Sequence, residues 1–340
     1  MPQNPFGGKQ PIGVIYNTSM SRPDAALALA ELYGFEGKRE SRMGSICVVG
    51  AGLDAAIFCD MLMHIYHLGP PRNSNQVLPV GLAAADPLPP DPPMVKAAVE
   101  RKDENGAPRY PRGIHKLSDT SLAEAVLRNG VIFNAEAVVV LSAPATYLAR
   151  SLDLEGVPDI YKERVKRLVI VDAGAPQQDV PAIRRIIAEW PTPVFYCGKE
   201  VGQALPFPAE AVEKDFAWSA AHPVVDAYRA YHPMPYDAPS YDVAAAHYAV
   251  HPDSGFFQLS EPGTLAVGSD GMMHFSPAGG KIRSLLVDAA KKEDAIAAFV
   301  AVTSARPVAP PQRFRRTGAG ALAQPGAAGK PADTVVKKQP

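Results

Sequence analysis

Cysteine is scarce in this sequence, and neither sign of charge is in excess. The three cysteines, Cys47, Cys59 and Cys197, are too few and too widely spaced for a disulfide framework or a cysteine-rich zinc site. The 34 Lys and Arg residues are balanced by 35 Asp and Glu residues. No surplus of positive charge is available to attract nucleic acid or an anionic membrane, so neither is expected as a partner.

Long apolar runs are missing as well. No run reaches the roughly 18 apolar residues that a membrane-spanning helix needs. No basic segment precedes an apolar one in the manner of a secretory leader, although a leader already removed would leave no trace. The sequence therefore predicts no membrane span and, most simply, a cytoplasmic location.

Proline, by contrast, is abundant, with 35 residues that are unevenly spread. One cluster occupies 87–93, and another begins near residue 306 and continues into a run rich in Gly and Ala. That last segment lacks bulky apolar residues and periodicity, so burial cannot offset the entropy of ordering it. We predict a flexible N-terminus at 1–10, one domain at 11–305, and a disordered Pro/Ala/Gly-rich tail at 306–340.

Patterns typical of strands and helices alternate along the predicted domain, which favours an α/β fold with a mostly parallel open sheet and helices on both faces. Strands are predicted at 12–17, 45–50, 137–141, 167–171 and 193–197. The main helices are predicted at 23–35, 54–66, 94–101, 118–127 with Ser118 as N-cap, 180–190, 223–231, 240–250 and 288–303. Three short strands, 256–260, 263–267 and 272–275, are predicted to form a small antiparallel β cap.

The stretch 14–29 combines a buried strand, a polar loop and an apolar helix. Ligands of open α/β sheets bind at the carboxyl ends of strands, so this loop should face a site. The stretch resembles the nucleoside hydrolases (inosine/uridine-preferring N-ribohydrolases), in which a strand, D-x-D-x-G-x-D-D and A-L-A-L follow one another. The segment 138–149 is similar to the family's strand and loop ending T-G-P-L-T-N-L-A, and 239–245 to a later helix start that supplies a metal-binding Asp.

This resemblance implies a calcium-dependent reaction, in which the ion binds a water molecule and the ribose diol, and an Asp of the first loop takes the proton from the water. Asn17 stands at the first Asp of the family pattern, and Ser19 at the position of the base. Asp24 retains one member of the D-D pair, beside either Pro23 or Ala25 depending on the alignment. With Asp242 and the backbone carbonyl of Ser142, Asp24 is a metal ligand only if a site is retained.

The resemblance also marks three substrate-binding positions, namely Asn17, Ala51 and Tyr241. Ala51 stands where the family usually places an Asn that holds the ribose, and Tyr241 where some members have a general-acid His. Neither a hydroxyl nor an amide replaces a carboxylate as the base that deprotonates water. The sequence thus matches the family in its strands and helices and differs from it in the loops that carry function. No cofactor is therefore expected unless a calcium site remains.

Two functions remain open from the sequence. In the first, the chain has lost the ribohydrolase activity and is a binding or assembly subunit in a homo-oligomer or protein complex. In the second, it is an active hydrolase of N-glycosidic bonds in ribonucleosides or related ribosides, with an altered metal site. Retained calcium affinity and ribose release would favour the second function.

Two further motifs have simple structural interpretations. The segment Gly50-Ala51-Gly52-Leu53-Asp54-Ala55 matches the G-x-G-x-x-A dinucleotide pattern, but a tight turn from strand to helix needs the same small residues. His64 and His67 are three residues apart on a predicted helix, as metal ligands can be. No third ligand accompanies them, so a half-buried or surface pair is the favoured interpretation.

Overall fold

The structure, a computed structural model, describes residues 10–67, 80–172 and 176–307. These residues belong to one compact unit. The segments 1–9 and 308–340 contain nearly all of the predicted flexible N-terminus and tail, and they lie outside the described residues. Within the described ranges, no helix is both long and apolar enough to cross a membrane.

A nine-stranded sheet forms the centre of the fold. The strands are β1 Ile12–Thr18, β2 Ser41–Val48, β3 Val80–Leu82, β4 Ser121–Leu122, β5 Ala137–Ser142, β6 Val165–Val171, β7 Val194–Cys197, β8 Phe257–Leu259, β9 Thr264–Val267, β10 Met273–Ser276 and β11 Arg283–Val287. The order in the sheet is β4-β3-β2-β1-β5-β6-β7-β11-β8. All neighbouring pairs are parallel except β11 with β8, which is antiparallel. This confirms the predicted mostly parallel open sheet.

Helices pack on both faces of this sheet, as predicted. Along β1, Val14 and Tyr16 belong to one buried apolar cluster and Ile15 to the other, because successive side chains of a strand point to opposite faces. The helices are α1 Pro23–Gly37, α2 Leu53–Tyr66, α3 Pro93–Val99, α4 Ala123–Ile132, α5 Thr146–Ser151, α6 Val157–Arg164, α7 Val180–Glu189, α8 Lys199–Ala204, α9 Ala209–Lys214, α10 Pro223–Tyr231, α11 Tyr241–Val250 and α12 Lys292–Thr303.

The predicted β cap is smaller than expected. β9 and β10 form a separate antiparallel pair, as predicted, with Gly271 at a positive φ of 79° in the turn between them. The first of the three predicted cap strands instead pairs with β11 at the edge of the main sheet. Hydrogen bonding to a strand that the sequence pattern did not reveal thus draws it away from the cap.

The helix predicted at 118–127 begins later than expected, and Ser118 is not its N-cap. Ser118 lies in a single 3-10 turn, Leu117–Asp119, and α4 starts at Ala123 after the short strand β4. The carboxylate of Asp119 accepts the backbone N–H groups of His115 and Lys116 at 2.9 and 3.1 Å. These hydrogen bonds stabilise an isolated turn in place of a continuous helix.

Helix α1 follows β1 after only four residues and is buried along nearly its whole length. It packs closely against its neighbours, and a Cβ added at Gly34 would lie 2.2 Å from the carbonyl oxygen of Val302 on α12. Helix α11 packs against α1. The first turns of these two helices therefore meet beside the carboxyl end of β1.

Candidate active site

Two carboxylates come together where α1 and α11 begin. Asp24 lies in the first turn of α1 and Asp242 in the first turn of α11, and their exposed fractions are only 1% and 0%. The backbone N–H of Asp242 donates to Oδ2 of Asp24 at 2.8 Å. A helix N-terminus favours a negative charge, which helps to accommodate both buried carboxylates. The structure thus unites two of the three predicted metal-binding positions through a direct contact.

The cation of this site is a side chain that sequence analysis did not identify. Arg22 donates from Nε to Oδ1 of Asp24 at 3.1 Å and from Nη2 to Oδ1 of Asp242 at 2.5 Å. The guanidinium carbon lies 5.1 Å from the centre of the Tyr241 ring, in a cation–π arrangement. Tyr241, predicted as a substrate contact, therefore supports the arginine that bridges the two carboxylates. The sequence held one clue, a permanent cation two residues before the retained Asp24.

Two hydroxyl groups complete the contacts of Asp242. Ser142 Oγ donates to Oδ1 at 2.8 Å, and Tyr16 Oη donates to Oδ2 at 2.6 Å. With the contacts to Arg22 and the backbone, each of the four carboxylate oxygens of Asp24 and Asp242 accepts a hydrogen bond from this chain. Ser142 was predicted as a ligand through its backbone carbonyl, but the contact that joins it to the site comes from its hydroxyl.

Burial is the largest single influence on the pKa values of Asp24, Tyr16 and Arg22, and only at Arg22 do neighbouring charges reverse its effect. Desolvation raises the pKa of Asp24 to about 7, with Arg22 opposing the rise and Asp242 adding to it. Burial and the neighbouring Asp242 raise the pKa of Tyr16 well above its usual value, so the phenol stays a neutral donor. Burial lowers the pKa of Arg22, but attraction to Asp24 and Asp242 outweighs this effect and raises the pKa overall. Arg22 is therefore a permanent positive charge.

Asn17 and Ser19, at the family's carboxylate positions, do not join this cluster through a hydrogen bond. Asn17 is fully buried and donates from Nδ2 to the Val140 carbonyl at 2.8 Å, which ties β1 to β5. Its Oδ1 has no hydrogen-bond partner among the described residues. Ser19 donates from Oγ to Ser21 Oγ at 2.9 Å. That contact supplies no base that could activate the Ser19 hydroxyl.

A cavity of about 230 Å³ lies beside the cluster and shares Ser142 with it. Its lining is polar at Ser19, Ser21, Ser142 and Asp179, and otherwise consists of Gly50, Leu141, Ala143, Pro144, Ile170, Val171, Pro176, Ile183 and Met273. The Asp179 carboxylate accepts the N–H groups of Ala145 and Thr146 at 2.7 and 2.9 Å, at the start of α5. Ligand pockets usually measure roughly 300–1,000 Å³, so this cavity suits a small group.

The predicted position Ala51 is buried, and it does not contribute to the lining of that cavity, although the adjacent Gly50 does. The helix start that follows is already occupied by an anion. The Asp91 carboxylate accepts the N–H groups of Asp54 and Ala55 at 3.1 and 2.8 Å. A dinucleotide pyrophosphate would need this same helix end, so the structure supports a simple tight turn here.

His64 in α2 is half-buried and His67, directly after that helix, is exposed, as the favoured interpretation expects. His64 contacts the backbone oxygen of Asp60 at 2.9 Å, while His67 contacts Oε2 of Glu36 at 2.9 Å. Over the ranges that the structure describes, no group of three or more His, Cys, Asp and Glu side chains is arranged to hold a metal ion.

Comparison with known proteins identifies the fold. No family model matches the chain, and no curated sequence does so either. Among solved structures, an inosine-uridine preferring nucleoside hydrolase from Bacillus anthracis has a TM-score of 0.60 and 14% identity, covering 86% of this chain and 99% of its own. A plant nucleoside hydrolase, PpNRh1, has a TM-score of 0.59 and 17% identity, with coverage of 87% and 99%.

A third similar structure is the type III effector protein XopQ complexed with adenosine diphosphate ribose. Its TM-score is 0.59 and its identity 12%, over 88% of this chain and 96% of that one. Likenesses at such low identity establish the fold and leave the activity open. The parallel sheet, the first loop and the paired helix starts therefore belong to a chain with the nucleoside hydrolase fold.

Proposed function

We propose that this chain has lost calcium-dependent ribohydrolase activity and acts as a binding or assembly subunit, in a homo-oligomer or a protein complex. One observation carries the proposal, namely that the Arg22 guanidinium lies between Asp24 and Asp242. Asp24 and Asp242 are the two acidic residues of the family pattern that this chain retains. A side chain supplies the positive charge that the resemblance would assign to a metal ion.

The residues present do not fit a calcium ion. Calcium takes six to eight oxygen ligands at about 2.3–2.6 Å, several of them carboxylates. All four oxygens of Asp24 and Asp242 already accept hydrogen bonds from the chain. A divalent ion entering here would compete with Arg22 for the same oxygens and would be repelled by its charge.

The residues at the family's carboxylate positions also provide no accessible base. Removing a proton from water near neutral pH needs a base of matched pKa within hydrogen-bond reach. The hydroxyl of Ser19 and the amide of Asn17 cannot accept that proton. Asp24 has a pKa near neutrality, which favours the alternative of an active hydrolase. Its exposed fraction of 1% and its two engaged oxygens argue against contact with a substrate water.

Binding without turnover agrees better with the cavity beside the cluster. The serine hydroxyls and the apolar side chains in its lining suit the hydroxyl groups and carbon skeleton of a small sugar ring. A riboside is the ligand class to test first, since the fold is shared with nucleoside hydrolases and with an effector complexed with ADP-ribose.

The test is calorimetric titration of the chelator-treated protein with calcium, alone and with ribose, inosine or ADP-ribose. We expect no heat of calcium binding at millimolar concentration and no release of ribose from inosine in a reducing-sugar assay. Tight calcium binding that strengthens with ribose, together with ribose release, would refute the proposed loss of activity. Light scattering tests the assembly role separately, and a strictly monomeric protein that copurifies with no partner would contradict it.

A further inference from the structure

We propose that a groove between α9 and α12 is a docking site for a basic amphipathic helix of a partner protein. The inference specifies a partner for the assembly role of the proposed function, and it rests on that role. The groove has a volume of about 620 Å³ and shares no lining residue with the cavity beside the candidate active site. Its floor and its rim differ in chemistry, and together they indicate what it binds.

The floor of the groove is an apolar stripe along the outer face of α12. It consists of Ile296, Ala297, Val300 and Ala301. These positions recur at the three- and four-residue spacing that places side chains on one face of a helix. The opposite face of α12 is buried in the core through Ala295, Phe299, Val302 and Thr303. A helix that is apolar on both faces is typical of one that is covered from both sides.

The chain itself covers this outer stripe only in part. Ile296 and Val300 are half-buried, whereas Ala297 and Ala301 are exposed. Single exposed apolar residues are common, but a continuous apolar stripe with a polar rim is typical of an interaction surface. Because alanine side chains are small, a partner helix could approach α12 closely and place its larger side chains on the floor.

Acidic side chains predominate at the rim of the groove. Glu210 and Lys214 come from α9, Asp215 directly follows it, and Glu293 lies in the first turn of α12. Lys214 contacts Glu210 and so balances one of the three acids. Among the described residues, neither Asp215 nor Glu293 forms an ion pair. Three acids and one lysine leave a surplus of two negative charges here, in a chain whose net charge is only −1.

This charge favours a basic partner over a second copy of the chain. Two copies that met through this groove would place like charges together, which opposes binding. An amphipathic helix fits better, since apolar residues at i, i+3, i+4 and i+7 fill a groove while charged residues flank them. Its lysines or arginines would pair with Asp215 and Glu293. The floor extends over about 16 Å between Glu293 and Ser304, which corresponds to about three turns of a bound helix.

The experiment measures the binding of labelled peptides to the full chain by fluorescence anisotropy. The probe is a peptide of Leu and Lys with the pattern LKKLLKL repeated twice, which forms a basic amphipathic helix. One control peptide has the same composition in scrambled order, and another has Glu in place of every Lys. We expect the Leu/Lys peptide to bind the wild type at least about 10-fold more tightly than either control peptide.

Substitutions in the groove test where the peptide binds. Ala297→Lys places a long, positively charged side chain on the floor and should weaken binding of the Leu/Lys peptide at least about 10-fold. Ala301→Lys should act in the same way. Ala230→Lys, at an exposed alanine of α10, is the matched control and should bind as the wild type does. The double variant D215K/E293K reverses the charge of the rim and should bind the Leu/Glu peptide more tightly than the Leu/Lys peptide.

Equal affinity of the wild type for the Leu/Lys and Leu/Glu peptides would overturn the inference, and so would equal weakening in A230K. Urea unfolding of each variant comes first, and A301K takes the place of A297K if the latter does not fold. Dimerisation of the wild type that A297K abolishes would show that a second copy occupies the groove, and the inference would be wrong. A partner protein that copurifies equally with the wild type and A297K would overturn the inference and leave the proposed assembly role intact.

Discussion

His222 should make the stability of this protein depend on pH below neutrality. It is the N-cap of α10, and its Nδ1 accepts the backbone N–H of Val224 at 3.2 Å. The ring is only 2% exposed and lies among the aromatic rings of Tyr66, Phe216 and Trp218. Burial lowers the pKa of His222 from 6.5 to about 3. The folded protein therefore holds this imidazole in its neutral form.

The sign and size of the effect follow from proton linkage. Below pH 6.5 the unfolded chain takes up a proton at His222, whereas the folded chain resists doing so until about pH 3. The stabilising contribution of the neutral His222 ring is fully present above pH 6.5, and it is lost progressively as the pH falls from 6.5 to about 3. Each pH unit inside this range is equivalent to about 1.4 kcal/mol, so acidification from pH 7 to 5 should cost about 2 kcal/mol of unfolding free energy.

Urea unfolding of the wild type and of His222→Asn at pH 7, 6 and 5 measures this contribution. Asn caps helices well and has no titrating ring, so the variant should lose about 2 kcal/mol less than the wild type between pH 7 and 5. Other titrating groups act on both proteins and cancel in the difference. His232→Asn, at an exposed histidine, is the matched control and should follow the wild type. Equal pH dependence of wild type and H222N would refute this reasoning.

Two more predictions concern the framework that holds the site. Gly34→Ala should destabilise the protein by about 1–3 kcal/mol in urea unfolding, because the new Cβ meets the Val302 carbonyl oxygen, although alanine is the better helix former. Gly37→Ala, where a Cβ meets no atom within 4 Å, is its control, and an equal loss there would contradict the packing argument. In the same measurement, Asp91→Ala should cost about 1 kcal/mol, since the start of α2 loses its capping carboxylate. Asp91→Asn should recover only part of that loss, because its single amide oxygen can accept just one of the two N–H groups.

The central elements of the fold could be predicted because their patterns are long. β1 and α1 stand at the positions where an apolar run and the following apolar helix were expected. The short strands β3 and β4 were not predicted, since two or three residues carry no measurable period. These two strands are stabilised by hydrogen bonds to neighbouring strands, β3 to β2 and β4 to β3. Those neighbours come from distant parts of the chain.

Some of the predicted positions meet in the structure, but the arginine that joins them was not predicted. Asp24 and Ser142 lie at the carboxyl ends of the neighbouring parallel strands β1 and β5, which share one edge of the sheet, and each contacts Asp242. Arg22 was overlooked, since the direction of a loop side chain depends on its contacts. Its decisive contact is Asp242, 220 residues further along the chain. The sequence around Arg22 does not reveal that this arginine forms an ion pair with an aspartate so far along the chain.

The two ends of the nine-stranded sheet have a consequence for self-association. β4 contributes two residues and β8 three, so a strand added from another molecule would find only a very short ladder to extend. Short edge strands are one of the means by which proteins prevent sheets from joining edge to edge and aggregating. Any stable assembly of this chain should therefore form through helix faces and loops. The sheet of each copy should not extend into that of its neighbour.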